Sequence, residues 1–402
     1  MKNYDVIVVG GGAAGLACAV RLAENSKLNI LILEAGERAG KKLAATGNGQ
    51  GNVSNADIDI KHYRSGNLEI VNKVACTPNS DKYIGDHIWV DGLEPFCPML
   101  FTVDEKGRVY PSGRQASALV DALLHKINML GVELKLSAKV IEIKAAKDIF
   151  EIALESGEIF AAKQVVLATG GKAQKHFKTE GSAYKIAEKL GHKITPLYPS
   201  LVQLKTDTTY TKTLKGIRVE SKVRAIVNGQ TVRTEVGDVI FTDYGVSGNA
   251  IFYVSPVFSK VTGQLIIDFL PEFSYERVTE VLKKRLNSSY NPVELLSGLV
   301  HNQIGRAIIK KAGPRAPLHA IVHTLKNFEI EVIGTLGFDY AQVTHGGVDM
   351  CNITENLESK RIKNLYFAGE ILDVDGDCGG YNLHWAFTSA KAVANDILKN
   401  ND

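Results

Sequence analysis

The first 34 residues change from an apolar run to a helical repeat and back. Residues 4–9 are a short β-branched apolar run, which is typical of a buried strand. Three glycines follow, and apolar residues then recur at helical spacing over residues 16–23. A second apolar run over residues 28–33 ends at Glu34. This pattern predicts a strand, a helix and a second strand, which together form one βαβ unit.

The pattern beyond this unit changes several times before residue 195. Residues 41–55 are rich in glycine and asparagine, which predicts a loop. An apolar stripe at helical spacing predicts a helix over residues 114–130 that stops at Gly131. Three alternating runs over residues 132–171 predict a strand, a small antiparallel excursion and a return strand, and a helix over residues 181–192 follows.

The pattern changes again at residue 196. Alternating, threonine-rich segments up to residue 271 predict an antiparallel β-domain, with a turn at Asn228-Gly229. Residues 274–312 are helical in pattern, including one run over residues 292–313. Residues 364–370 return to the buried α/β style before a last helix over residues 381–398. The inserted part must therefore leave and re-enter the first domain.

Composition narrows the class of protein. A chain of 402 residues with 45% hydrophobic and 23% charged residues is expected to fold into two or three globular domains. The formal net charge of +3 is too small to predict electrostatic capture of nucleic acid. No apolar run approaches the ~20 residues that a membrane span needs. We therefore expect no nucleic acid and no membrane among the partners.

Cysteine usage and the N-terminus indicate a cytoplasmic protein. The five cysteines are far apart and contain no C-x-x-C pair, which argues against a zinc site, any other metal centre or a disulfide framework. Asp5 and the early glycines exclude a secretory signal peptide. The cysteines are Cys18, Cys76, Cys97, Cys351 and Cys378.

The glycines after the first strand predict a dinucleotide site. In G-x-G-x-x-G, Gly10 permits the tight turn, Gly12 lets backbone approach a pyrophosphate, and Gly15 lets helix and strand pack closely. The pyrophosphate would lie at the helix N-terminus, where the helix dipole favours negative charge. Glu34 comes 19 residues after Gly15, where a carboxylate accepts from ribose hydroxyls and repels a 2′-phosphate. The dinucleotide is therefore FAD or NAD rather than NADP.

The C-terminal part favours FAD. A second glycine-containing strand end precedes a helix that starts with Gly379 and Gly380. The N-terminus of such a helix stabilises the negative charge of a reduced flavin. The ATGG sequence at residues 168–171 supplies another close-approach turn. A NAD dehydrogenase does not need a last strand and helix that return from the far end of the chain.

Seven segments together resemble one family from the first strand to the last helix. They are VVGGGAAGLACAV, GKKLAATGNGQGN, GRVYPSGRQAS, VVLATGGKA, VIFTDYGVSG, VTHGGV and LYFAGEILDVDGDCGGYNLHWAF. They resemble the aminoacetone oxidase/BaiN-like family of FAD-binding proteins with two dinucleotide-binding domains. The resemblance implies an α/β fold with a Rossmann-like FAD-binding domain, an inserted β-barrel-like domain and a small helical subdomain.

The resemblance also implies domain bounds and cofactor contacts. The FAD domain would comprise residues 1–194 and 335–402, the barrel residues 195–273 and 327–334, and the helical subdomain residues 274–326. By resemblance, FAD contacts fall on Gly10, Gly12, Ala14, Gly15, Glu34, Lys42, Gly47, Asn52, Val140, Ala168, Thr169, Gly170, Gly369, Glu370, Asn382 and Leu383. The family's usual GGGRCN is replaced here by GNGQGN at residues 47–52, so activities that need that arginine or cysteine are in doubt.

The reaction implied is the reduction of an activated C=C bond. Flavin N5 would give hydride to an enone of steroid or bile-acid type, and Tyr244, His345 or Tyr381 would supply the proton. No second G-x-G-x-x-G motif appears, so NADH or NADPH would dock transiently as electron donor. The alternatives are an oxidase of a small amine that uses O₂ and a flavoprotein of RNA modification. The sequence makes no prediction of oligomeric state.

Overall fold

The computed structural model describes residues 2–76, 83–84, 87–88, 99–147, 149–288 and 294–401. Backbone contacts divide the chain into two compact units. The first comprises Met1–Leu197 and Val343–Asp402, and the second is Tyr198–Gln342. The predicted fold class is confirmed, because a Rossmann-type sheet, a closed barrel and additional helices are all present. The finer domain bounds stay a prediction, and Cys97 lies outside the described residues.

The first unit starts with the predicted βαβ sequence and continues with short strands and helices. Its strands up to residue 197 are β1 (Lys2–Val9), β2 (Ile30–Leu33), β3 (Ser54–Asn55), β4 (Tyr63–Ser65), β5 (Tyr83–Ile84), β6 (His87–Ile88), β7 (Phe101–Val103), β8 (Arg108–Pro111), β9 (Glu133–Lys135), β10 (Val140–Ala146), β11 (Ile149–Leu154) and β12 (Ile159–Leu167). Its helices in that range are α1 (Ala13–Glu24), α2 (Lys41–Ala44), α3 (Leu68–Val71), α4 (Ala116–Met129) and α5 (Ser182–Lys189).

The second unit contains strands followed by helices. The strands are β13 (Tyr198–Ser200), β14 (Leu204–Thr206), β15 (Arg218–Val227), β16 (Gln230–Phe241), β17 (Gly245–Ser247), β18 (Gly263–Asp268) and β19 (Phe328–Thr335), and the helices are α6 (Asn249–Phe258), α7 (Tyr275–Asn287), α8 (Asn302–Ala312) and α9 (Leu318–Lys326). The chain then returns to the first unit with β20 (Val343–His345), β21 (Leu365–Phe367), β22 (Val374–Gly376) and α10 (Tyr381–Lys399).

A parallel sheet forms the core of the first unit. β1 pairs in parallel with β12 on one side and with β2 on the other, and β9 lies beyond β2. β21 pairs in parallel with the C-terminal end of β12, so the last part of the chain completes the sheet. The β1 residues Val6, Ile7 and Val8 have no exposed surface. Burial on both faces explains why these strands appear in the sequence as continuous apolar runs.

One predicted strand is in fact two. The pattern over residues 132–145 predicts a single strand, but this run divides into β9 and β10. Ser137 has a φ of 52° between them, and its N–H donates to the carbonyl of Gly36. The N–H of Ala138 donates to the carbonyl of Glu34. The prediction was wrong because contacts with the segment after β2, which alternation does not reveal, turn the chain there. The one-turn helix α2 likewise interrupts the loop predicted over residues 41–55.

The second unit contains the expected barrel. Its strands close in the order β14-β17-β16-β15-β18-β19, with β14 pairing β19. The predicted turn between β15 and β16 is present, with φ values of 51° at Asn228 and 77° at Gly229. A two-residue hairpin loop of this type needs positive φ at both positions, which asparagine and glycine tolerate.

Two helical details of the second unit differ from prediction. Helix α6 lies inside the segment predicted to be wholly β. The sequence did not predict this helix because its short apolar run contains β-branched residues and Pro256. Its Ala250, Ile251 and Val254 are buried in the core of this unit. The helix predicted from residue 292 begins only at Asn302, and residues 294–300 form turns. Within the described residues, no helix has both the length and the apolar character to cross a bilayer.

A buried histidine makes the stability of the first unit depend on pH. His192 is 3% exposed, and its Nε2 bonds the hydroxyl of Ser359 at 3.0 Å. Burial, with a smaller effect of Arg361, lowers the pKa of His192 to about 4. The folded chain therefore binds fewer protons here than the unfolded chain between pH ~6.5 and ~4. Acid favours the unfolded chain within this window.

We expect the melting temperature to fall less steeply between pH 6.5 and 4 in His192→Gln than in the wild type. Each unit of pKa difference corresponds to ~1.4 kcal/mol, so this group accounts for at most about 3.5 kcal/mol. Thermal unfolding followed by circular dichroism across that range measures the difference. The exposed His176 provides a control, because His176→Gln should keep the wild-type slope. Parallel curves for His192→Gln and wild type would contradict this assignment.

Candidate active site

Glycines let the end of β1, the start of α1 and the end of β12 come together. Gly10 has a φ of 109°, and a Cβ there would lie 2.5 Å from the carbonyl oxygen of Ala168. A Cβ on Gly15 would lie 1.9 Å from the carbonyl oxygen of Gly10. Only glycine can occupy such positions without moving backbone. A Cβ on Gly12, in contrast, would meet no atom within 4 Å, so this turn is open to an approaching group.

The N-terminus of α1 has the properties of an anion site. Its N-cap is Gly12, and no side chain caps the helix. The first N–H groups of any helix lack intrahelical partners, and the helix dipole adds partial positive charge there. Ala14 is buried in this first turn. The geometry fits a pyrophosphate that accepts hydrogen bonds from these backbone groups.

Glu34 is held beside this turn by backbone donors. Its Oε2 accepts from the N–H of Gly11 at 2.7 Å, and its Oε1 accepts from the N–H of Gly36 at 2.6 Å. Val140, the predicted contact at the start of β10, is buried and lies two residues after Ala138, whose N–H donates to the carbonyl of Glu34. The predicted FAD contacts Glu34 and Val140 are therefore linked through the backbone hydrogen bond between Ala138 and Glu34.

Two buried polar atoms at predicted FAD contacts have no hydrogen-bond partner within the described part of the chain. They are the hydroxyl of Thr169 and the side-chain oxygen of Asn52. A buried polar atom without a partner is costly, so such atoms indicate where a ligand supplies the missing partner. Gly170, next to Thr169, has a φ of 71° and open space around its Cβ position. These observations fit a large polar cofactor such as FAD.

The predicted loop residues lie against the start of α10. A Cβ on Gly380, the N-cap of α10, would lie 2.8 Å from the side-chain oxygen of Asn52. A Cβ on Gly47 would lie 3.1 Å from the backbone nitrogen of Asn52. The amide of Asn382 is already bonded to both the N–H and the carbonyl of Gly376. Asn382 and the half-buried Leu383 therefore offer a ligand their backbone N–H groups at the helix start.

The C-terminal motif contacts helices α1 and α2. The Nζ of Lys42 lies 2.7 Å from a carboxylate oxygen of Glu370, and the N–H of Thr344 donates to the other oxygen. A Cβ on Gly369 would lie 3.0 Å from the Cβ of Ala14. All of the predicted cofactor residues thus belong to the first unit, and both ends of the chain contribute to the same region.

The three predicted proton donors are divided between the two units. His345 bonds Asp375 through Nδ1 at 2.7 Å, and Tyr381, which is 5% exposed, stacks on His62 with ring centroids 4.3 Å apart. Both belong to the first unit. Tyr244 belongs to the second unit, in the turn between β16 and β17, and burial raises its pKa.

A network of charged side chains connects His345 with Tyr381. Arg64 of β4 faces Asp375 of β22 across an antiparallel pair and donates to it and to Asp377. Asp377 also lies 3.3 Å from Nδ1 of His62. Burial opposes ionisation of Asp375, but Arg64 and His345 lower its pKa below the ordinary value. The network therefore keeps a carboxylate next to the imidazole of His345.

Four members of this network were not predicted from the sequence. They are His62, Arg64, Asp375 and Asp377. The alternation of Asp373, Asp375 and Asp377 was a usable signal, because residues two apart share one face of a strand. No comparable signal marked Arg64, which lies in a segment without clear periodicity.

The GNGQGN loop, which replaces the family's GGGRCN, contacts the segment at the start of α4. Gln50 accepts from Nη1 of Arg114 at 3.2 Å, and a Cβ on Gly51 would lie 3.0 Å from the Cα of Ala116.

Burial raises the pKa of the Cys378 thiol to about 11 and that of Cys18 to about 12, while a hydrogen bond to Asp349 raises that of Cys351. None of these three is poised as a thiolate. Across the described ranges, no group of three or more His, Cys, Asp or Glu side chains could hold a metal ion.

A family model described as the HI0933-like protein Rossmann domain matches residues 4–396. The chain belongs to the HI0933-like family. Among its relatives is a 3-dehydro-bile acid delta(4,6)-reductase of Clostridium scindens, which is 32% identical over 95% of this chain and 96% of the relative. A ribosomal RNA dihydrouridine synthase of Escherichia coli is 28% identical over 99% of both chains.

A solved structure of similar fold is a flavocytochrome c3 fumarate reductase. It superposes with a TM-score of 0.51 at 15% identity, covering 99% of this chain and 78% of that one. Its likeness concerns the fold alone. With the family match, the chain is an FAD-dependent oxidoreductase, and the recognition made from the sequence is confirmed. The uncapped start of α1 and the two unpartnered polar atoms fit FAD.

The packing of Gly15 generates a test of the cofactor site. We expect Gly15→Ala to weaken FAD binding at least about tenfold, or ~1.4 kcal/mol, because the new methyl group would displace the first turn of α1 from β1. Flavin absorbance per protein after dialysis measures the loss, and circular dichroism checks folding. Gly113→Ala is the matched control, since its Cβ would meet nothing within 4 Å. Full FAD retention by Gly15→Ala would contradict the assignment.

Proposed function

We propose that this HI0933-like protein reduces a carbon–carbon double bond conjugated to a carbonyl, with NADH or NADPH as electron donor and His345 as proton donor. The observation that carries the proposal is the 2.7 Å bond between Nδ1 of His345 and the buried carboxylate of Asp375. This pair belongs to the same unit as the predicted cofactor residues. Tyr381 and Tyr244 are the alternative donors in this proposal.

The bond change proposed is common to the two named relatives. A bile-acid Δ4,6-reductase and a dihydrouridine synthase both reduce a C=C bond conjugated to a carbonyl, although the names describe very different substrates. When bound, FAD supplies the hydride that such a bond accepts at its β-carbon. The protein must then deliver a proton to the α-carbon, which is a task for a general acid. An imidazole supported by a carboxylate is suited to that task.

For the substrate we propose a small enone of steroid or bile-acid type. The support is the Clostridium scindens relative, which matches 95% of this chain at the higher identity of the two. The lack of a second G-x-G-x-x-G motif supports transient docking of the nicotinamide rather than a dedicated domain. Cys18, Cys351 and Cys378 are free thiols, which supports the cytoplasmic location that we also propose.

A second candidate substrate is a uracil base in RNA, and basic helices of the second unit favour it. Residues 274–326 contain nine Lys or Arg against three Asp or Glu. On α8, Arg306 and Lys310 are exposed one turn apart, and the Nζ of Lys311 lies 4.8 Å from the ring centroid of Tyr210. Lysine and arginine side chains can contact phosphates, and an aromatic ring beside them can stack on a base. The small net charge of the whole chain conceals this local excess.

An anaerobic experiment tests the function. NADH or NADPH should bleach the flavin absorbance of the purified protein, and a steroid 4-en-3-one should restore it with formation of the saturated ketone. Bleaching by a small amine, with peroxide formed after O₂ is admitted, would instead support an amine oxidase. Reoxidation by uridine-containing RNA, with a salt-dependent mobility shift, would support the second candidate. No reoxidation by either acceptor would overturn the proposal.

The role of His345 requires its own variant. We expect His345→Gln to bind FAD and to be bleached by the nicotinamide like the wild type, while the rate of enone reduction falls by about 10² or more, because general acids contribute factors of that order. Stopped-flow absorbance separates the two half-reactions. His125→Gln, a surface change on α4, should leave both rates unchanged. Unchanged enone reduction by His345→Gln would transfer the role to Tyr381 or Tyr244.

A further inference from the structure

Arg64 belongs to a network with Asp375, Asp377, His62 and His345 that is larger than a single surface ion pair. We infer that Asp375 and Arg64 are positioning residues that hold a proton on Nδ1 of His345, so that Nε2 takes up a second proton from solvent and the resulting imidazolium donates that proton to the substrate. The inference rests on the proposed function, in which His345 is the proton donor. It concerns how the imidazole is held, and it can be measured in the resting protein.

Both oxygens of the Asp375 carboxylate take part in hydrogen bonds. Its Oδ1 lies 2.7 Å from Nδ1 of His345, and its Oδ2 accepts from Nε and Nη2 of Arg64 at 3.0 and 2.9 Å. The side chain of Asp375 is completely buried. An ionised carboxylate can only accept hydrogen bonds, so its partner nitrogen on His345 must carry the proton. The geometry thus selects one tautomer of the neutral imidazole.

Arg64 is committed to this arrangement. Its Nη1 donates to Asp377 at 2.7 Å, so one guanidinium spans two carboxylates. Because its charge is balanced twice, Arg64 is a poor site for an anionic substrate group and acts through its neighbours. Its register opposite Asp375 on β4 and β22 brings the guanidinium to that carboxylate.

The charged groups around His345 favour the same assignment. Asp375 bonds His345, Asp373 interacts with it electrostatically, and Arg64 contacts Asp375. Burial raises the pKa of Asp373 above its ordinary value. Asp375 remains the ionised acceptor because Arg64 and His345 overcome its burial. Loss of Arg64 would therefore weaken the ionised form of Asp375 and with it the fixed tautomer.

The test is the tautomer of His345 in the oxidised, FAD-loaded protein. With ¹⁵N-histidine labelling, and assignment by the signal absent from His345→Gln, two-bond ¹H–¹⁵N spectra show which ring nitrogen carries the proton. We expect Nδ1–H in the wild type. In Asp375→Asn we expect the Nε2–H form, because the asparagine amide can donate to Nδ1. Arg64→Lys, which keeps the charge without the fork, should give a mixture.

Kinetics provide the second readout. We expect Asp375→Asn to lower kcat for the enone by about 10- to 100-fold, the usual effect of supporting groups, with KM changed less than about twofold and flavin bleaching intact. Asp104→Asn, which alters another carboxylate bonded to an arginine, is the matched control and should change neither readout.

The outcomes separate this inference from the proposed function. An Nε2–H wild-type imidazole, or an unchanged tautomer in both Asp375→Asn and Arg64→Lys, would overturn the inference even if enone is reduced. A fixed Nδ1–H signal that is lost in these variants supports it, and it does so even if no enone is turned over. In that case the choice of reaction alone would have failed.

Discussion

The close contact between the carbonyl of Gly10 and the backbone of Gly15 is the constraint on which the rest of the first unit depends. It brings the first turn of α1 to the end of β1, where Gly10 in turn lies against Ala168 at the end of β12. Any side chain at these positions would separate the helix from the sheet. The unpaired N–H groups at the start of α1 are therefore presented at the edge where parallel strands end. Glu34, at the end of β2, lies next to them.

The same region receives the other end of the chain. β21 extends the sheet beside β12, and Gly369 approaches the Cβ of Ala14 closely. Helix α10 then starts at Gly380, without a side-chain cap, beside the loop that holds Asn52. Two uncapped helix starts in one unit suit a ligand that carries negative charge at two separate places. An FAD with its pyrophosphate and reducible ring is such a ligand.

Charge is arranged differently at the proposed proton-transfer position. The glycine turn at the start of α1 offers backbone dipoles, which need no counter-charge. His345, in contrast, depends on a buried carboxylate whose charge Arg64 balances. A buried carboxylate without Arg64 would tend to take up a proton and lose its hold on the imidazole. This dependence explains why residues so far apart in the chain, from positions 62 to 377, form one network.

Local sequence determined the elements whose signals are local. The βαβ start, the glycine turn, Glu34, the Asn228-Gly229 hairpin and the last helix follow from periodicity and backbone conformational preference, which act over a few residues. Tertiary contacts decided the rest. Hydrogen bonds to Gly36 and Glu34 turned the chain at Ser137, and packing made α6 a helix despite its β-branched residues. The pairing of β4 with β22 brought Arg64 to Asp375, and because such pairing joins distant residues, no local pattern could predict it.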